Sequence, residues 1–133
     1  MVEAQRLAVG VVGRVLDGHS LDAALAAAWR RHAGLDARAR AAVQDLAYGT
    51  LRLLTRVEAL LEALLDKPLV DARLRPLILI ALYELEGTRA APHAVVDHAV
   101  RACGALGLTS AKGLVNAVLR NFLRRRTALD ALL

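Results

Sequence analysis

The chemistry on offer in this chain is carried by arginines, and their spacing is helical. The stretch Lys112–Arg126 reads KGLVNAVLRNFLRRR. At about 100° per residue, Asn116, Arg120 and Arg124 fall at i, i+4 and i+8 and form one ridge, with Lys112 ahead of it and Gly113 and Asn121 beside it. Leu114, Val115, Val118, Leu119, Phe122 and Leu123 form an apolar arc opposite. A second pair, Arg6 and Arg14, lies on the polar side of the N-terminal pattern, opposite Ala4, Leu7, Ala8, Val11, Val12 and Val15. The guanidinium fork matches phosphate oxygens, so such faces suit an anionic partner, RNA above all. The same spacing also describes amphipathic helices with their arginines in solvent.

No catalytic constellation accompanies them. His19, His32, His93 and His98 lie apart, and His93 and His98 are five apart where a metal pair on one helix face wants i, i+4. Cys103 has only His98 nearby, on a different face, so it reads as a buried structural cysteine. Gly10–Gly13 and Gly104–Gly107 follow no strand and are not phosphate loops. Glu84 and Glu86 diverge and make no acid/base pair. The expectation is a binding module with no catalytic residue, metal or cofactor of its own.

The 133 residues suit one domain, 1–133. Hydrophobic residues make up 56%, ample for a core, and the mean hydropathy is +0.40. The longest apolar run, Leu77–Tyr83, is too short to span a bilayer. Glu3, Arg6 and Arg14 interrupt the N-terminal pattern, which therefore does not read as a signal peptide. A cytoplasmic location is expected, and a single cysteine fits a reducing compartment. The net charge is +5, and every basic residue except Lys67 and Lys112 is arginine, which favours phosphate recognition. Arginine also rises with Ala and Leu in GC-rich coding sequence. Aromatics, at 3%, supply no evident stacking platform.

The elements that must position these residues read as about seven helices and no strand, because nothing alternates with period two. The first is Val2–Asp17. Its Gly10 and Gly13, on the polar face, cost about 1 kcal/mol each against Ala. Either another backbone approaches that face closely or the glycines help pack a neighbouring helix. Ser20 caps Leu21–Arg31, with Leu25, Ala28 and Trp29 inward. Asp36 opens Asp36–Leu54, a capping box at Thr55–Glu58 opens Arg56–Asp66, and Pro68 follows. Asp71–Glu86 is apolar all round over Leu77–Tyr83 and should be the central helix. Pro92 starts the next, with Val95, Val96, Ala99, Val100 and Cys103 inward, and Thr109 or Ser110 caps the last.

Several of these segments, in order, resemble one family. They are Asp45-Leu46-Ala47-Tyr48-Gly49-Thr50-Leu51-Arg52, Asp66-Lys67-Pro68-Leu69, Ala81-Leu82-Tyr83-Glu84-Leu85 and Thr88 to Val96, and most specifically Lys112-Gly113-Leu114-Val115-Asn116-Ala117-Val118-Leu119-Arg120. From about Gln5 to Arg126 the chain resembles the N-terminal domain of the bacterial ribosomal RNA cytosine-5 methyltransferases known as Sun, Fmu or RsmB. That domain has the fold of the transcription antitermination factor NusB. The Tyr48–Arg52 and Lys112–Arg120 segments point to the methyltransferase branch. At Asp97-His98 the family commonly has Asn-Glu.

The resemblance implies an all-α, NusB-like bundle in two packed subdomains around Leu77–Leu85. It implies an RNA-binding domain that positions ribosomal RNA, with the first helix's Arg6 and Arg14 as contacts; the ridge of the last helix adds Lys112, Asn116, Arg120 and Arg124 as further candidates. The last four face either RNA or a catalytic domain. In the family, S-adenosylmethionine and two catalytic cysteines belong to a Rossmann-like domain beyond these residues. That domain would be a partner in cis or in trans, so the stretch is expected to be an excised domain or a separately encoded one. Two other functions stay open: a stand-alone antitermination factor acting with a ribosomal protein, and an interaction module that never touches RNA.

Overall fold

A computed structural model describes residues 2–133. Among them are eight α-helices and one 3-10 turn: α1 (Val2–Leu16), α2 (Leu21–Arg31), α3 (Ala37–Arg52), α4 (Leu54–Leu64), α5 (Leu74–Gly87), α6 (Pro92–Ala105), the turn Thr109–Ala111, α7 (Lys112–Arg124) and α8 (Arg126–Leu132). The described residues contain no strand, as the missing period-two pattern requires.

Two helices start on the side chains expected. Ser20 Oγ accepts from the Ala23 amide at 3.1 Å, and Asp36 Oδ1 from the Ala39 amide at 2.8 Å. The box at Thr55–Glu58 does not form. Helix α4 starts earlier, with Leu53 at its cap and no side-chain bond there. The Leu53 carbonyl accepts from the Val57 amide at 3.0 Å, so the first turn is already closed around Thr55. Nor do Thr109 and Ser110 cap α7. They lie inside the 3-10 turn, where the Lys112 amide reaches the Thr109 carbonyl, and Ala111 holds the cap position. The inward face of α2 is also shifted. Ala24 and Ala27 are buried, whereas Leu25, Ala28 and Trp29 are half-buried, and the Trp29 ring carries the Arg40 guanidinium 5.1 Å above it.

Helix α5 is the hub. Leu74, Pro76 to Leu82, Glu84 and Leu85 are buried, and α1, α3, α4, α6 and α7 all pack against it. One contiguous cluster draws on every helix, from Leu7 to Leu129. The N-terminal three helices and the later ones share it through α5 and through the packing of α1 on α6. Tyr83 makes one tight joint here. Its ring lies against Gly49 of α3, where a Cβ would stand 2.5 Å from Cε1 and closer still to Cζ and Oη. Only glycine fits that crossing.

Helix α8 is additional to the seven expected. It is seven residues long and begins at Arg126, the last residue of the Arg124–Arg126 run. Arg126 is in fact structural. Its Nη2 donates to the Leu85 carbonyl at 2.8 Å, satisfying the C-terminal end of α5, and its guanidinium lies 5.5 Å from the Phe122 ring. Arg56 of α4 binds Glu86 at 3.3 Å and also Asp130 of α8. Leu129 is the buried residue of α8.

Candidate nucleic-acid interface

Arg6 and Arg14 stand about 12 Å apart along α1 at 1.5 Å per residue. Both line an open groove of about 730 Å³. Gly10 and Gly13 lie on the same wall. The remaining lining comes from α2, through Ala24, Ala27, Ala28, Arg31 and His32, and from Pro68–Pro76 leading into α5. Five arginines (Arg6, Arg14, Arg31, Arg73 and Arg75) against Asp17 and Asp71 make the groove cationic.

The two glycines follow neither course open in the sequence. A Cβ on Gly10 would meet nothing within 4 Å, and one on Gly13 would meet only Pro76 Cγ at 3.8 Å, an ordinary contact. No backbone approaches and no neighbouring helix requires the gap, because the space beside them is the groove itself.

The arginines are not equally available. Arg6 binds Glu3 through Nη2 at 2.7 Å and Nε at 3.1 Å, a hydrogen bond that holds the Glu3 carboxyl below its ordinary range. An exposed pair of this kind contributes about 0–1 kcal/mol, so an anion can displace it. Arg73 is held by Asp71 at 3.1 Å and by the Leu106 carbonyl at 3.0 Å, and Arg75 reaches Glu62 at 3.5 Å. Among the described residues, Arg14 and Arg31 have no carboxylate within ion-pair distance. They are the free cations of the groove.

The four candidates on α7 are placed elsewhere. Asn116, Arg120 and Arg124 are exposed, and none of the four lines the groove. Arg120 Nε donates to Asn116 Oδ1 at 3.4 Å and Arg124 Nη2 to Asn121 Oδ1 at 3.1 Å. Lys112 is half-buried, its stem lying on Gly104 at the end of α6. Val115, Val118, Leu119 and Phe122 are buried as expected, while Leu114 is 38% exposed, so the apolar arc is narrower than its sequence suggests. Helix α7 packs on α4, α5 and α6, and α1 on α2, α3, α5 and α6. The six candidates therefore form two groups. Sequence reasoning missed Arg31, His32, Arg73 and Arg75. Each was visible as a charge beside a helix end or a proline, but only the fold sets them in the same groove as α1.

Cys103 is buried, its Sγ donating to the Leu108 carbonyl at 3.1 Å, and burial pushes the thiol up. Among the described residues no three His, Cys, Asp or Glu side chains gather as metal ligands, and no helix is long and apolar enough to cross a membrane.

Fold and groove together define an all-helical domain wound on one buried helix, with a cationic channel along its first. The chain belongs to the NusB family, which matches residues 2–124. It is 40% identical over 126 residues to ribosomal RNA small subunit methyltransferase B of Pectobacterium carotovorum subsp. carotovorum (strain PC1), covering 92% of this chain and 29% of that protein. It is 37% identical over 134 residues to the protein of the same name from Vibrio cholerae, covering 98% of this chain and 30% of that one. The chain thus spans under a third of the length of the curated relatives it matches and corresponds to their N-terminal, NusB-like part. The methyltransferase branch read from Tyr48–Arg52 and Lys112–Arg120 is the one found, and an RNA-related role goes with it.

Proposed function

We propose that this domain binds ribosomal RNA through the groove along α1 and positions it for a cytosine-5 methyltransferase catalytic domain. The observation that carries the reading is the convergence of Arg6 and Arg14 of α1, Arg31 of α2, and Arg73 and Arg75 on one cationic groove. Arginine forks on a concave wall grip phosphate oxygens and fix the register of a folded RNA. S-adenosylmethionine chemistry belongs to the catalytic domain, and this part supplies placement.

The ridge Lys112, Asn116, Arg120 and Arg124 stands outside the groove, which favours a second use for it as the contact to the catalytic domain. The test is a titration of ribosomal RNA fragments at several salt concentrations. Arg6→Ala with Arg14→Ala should weaken binding and lower the slope of log K against log salt by about 0.7 per lost phosphate contact. Arg120→Ala should leave RNA binding unchanged in this domain. Arg101→Ala is the control, its side chain being exposed and paired with Asp97 on α6. Arg56 is unsuitable as a control because it ties α4 to Glu86 and Asp130. An unchanged affinity and slope in the double variant refutes the reading and leaves an interaction module.

A further inference from the structure

Resting on the RNA-binding reading, we infer that the groove seats an unpaired nucleotide, its base against the floor beside Gly10 and Gly13 and its phosphate on Arg14 and Arg31. Three observations converge. The first is size. About 730 Å³ lies within the range that holds a small-molecule ligand, roughly 300–1,000 Å³. A splayed nucleotide enters such a space, whereas an RNA duplex presents its phosphates on a convex surface too broad to enter. Recognition of RNA by bases turned out of a loop needs a concavity of this kind.

The second is the lining. Beside the arginines the groove is lined by Gly10, Gly13, Ala27, Ala28, Leu69 and Pro76, short or apolar groups that leave room for a flat ring and offer it an apolar surface. The third is charge. Arg14 and Arg31 come from α1 and α2, two of the elements that line the groove, and have no carboxylate partner among the described residues. A phosphate between them would complete both.

The cost of two mid-helix glycines is what a nucleotide site would explain. A side chain at Gly10 has open space and no clash, so the folded domain alone does not require glycine there. A larger residue would occupy the floor of the groove.

The experiment uses two labelled RNA probes of equal phosphate count, a hairpin with a seven-nucleotide loop and a blunt duplex, titrated against the 133-residue protein and Gly10→Leu. Melting temperature and helical circular dichroism report folding, with Gly10→Ala as the smaller insertion if Gly10→Leu is perturbed. The wild type should prefer the loop. Gly10→Leu should bind the loop about 5-fold more weakly, the low end for one lost base contact because no Phe, Tyr or Trp is among the described residues that line the groove, with duplex binding and melting temperature undiminished. If Gly10→Leu binds the loop as the wild type does, while Arg6→Ala with Arg14→Ala does not, the nucleotide seat is wrong and RNA binding stands. If the wild type binds neither probe, both readings fall. Capture of an acidic peptide in place of either RNA would assign the groove to a protein partner and overturn the seat as well.

Discussion

The same substitution at three helical glycines should give opposite signs. At Gly49 a methyl group would stand 2.5 Å from Tyr83 Cε1 and nearer to Cζ and Oη. On its far side the ring already runs close past Gly87, where a Cβ would stand 3.0 Å from Cε1 and 3.2 Å from Cδ1, and Leu53 Cδ1 is near the same point, so a retreat from Gly49 must displace these neighbours. Overpacking of this kind costs about 1–3 kcal/mol, rising where a rigid ring must move, against the roughly 1 kcal/mol that alanine returns in a helix. With a ring in the way the cost takes the upper part of that range, about 2–3 kcal/mol, so Gly49→Ala should lose about 1–2 kcal/mol net, a fall of about 3–10 °C in melting temperature for a domain of this size. Gly10→Ala and Gly13→Ala meet no such obstacle and should gain up to about 1 kcal/mol each. Urea unfolding of the three variants reads all of this directly. Adding Tyr83→Leu to Gly49→Ala should recover part of the loss, with a coupling of about 0.5–3 kcal/mol. A Gly49→Ala protein as stable as the wild type, or a coupling of zero, would show that the α3–α5 crossing is not set by this contact.

Glu84 supplies a pH test. It is 4% exposed, and burial raises its carboxyl above the ordinary 4.5, only partly countered by the hydrogen bond from Gln5 Nε2 at 2.7 Å. The folded state holds this proton to higher pH than the unfolded state, so its stabilising effect is full below 4.5 and is lost as pH rises through the folded value. Glu84→Gln keeps an acceptor for Gln5 without the buried charge. It should be about 1–3 kcal/mol more stable than the wild type at pH 7, the difference closing near pH 4, in chemical denaturation at both. Leu82→Ala, at a fully buried position on the hub helix, should cost about 2–5 kcal/mol, read as a lower urea midpoint.

What was legible in the sequence follows from what periodicity can report. The apolar stretch Leu77–Leu82 declared its own burial, and Ser20 and Asp36 announced their helices, because those signals are local. The capping box at Thr55 failed because it competes with a backbone turn that closes on Leu53, a choice the motif itself does not encode. Helix α8 was missed because one buried leucine gives no period. For the candidate site, α1 was readable as a cationic face, but its opposite wall was not. Arg31, Arg73 and Arg75 reach the groove through the packing of α2 on α1 and the course of Pro68–Pro76, and that is tertiary information. Gly49 likewise sits in a quotable motif, yet its reason is a ring on another helix.

Fastening by charge has a consequence for α8. Seven residues with one buried leucine give little cohesion of their own, and the helix is held down by Arg56 on Asp130 and by Arg126 on the end of α5. Amides in α8 should thus open locally without the rest of the bundle, at a rate that ionic strength sets, while those of α5 wait for global unfolding. On the RNA-binding reading proposed above, salt that strips RNA from the groove along α1 also loosens this latch. Ligand release and a freer C-terminal helix therefore arrive together, through shared screening and with no conformational signal passing between them.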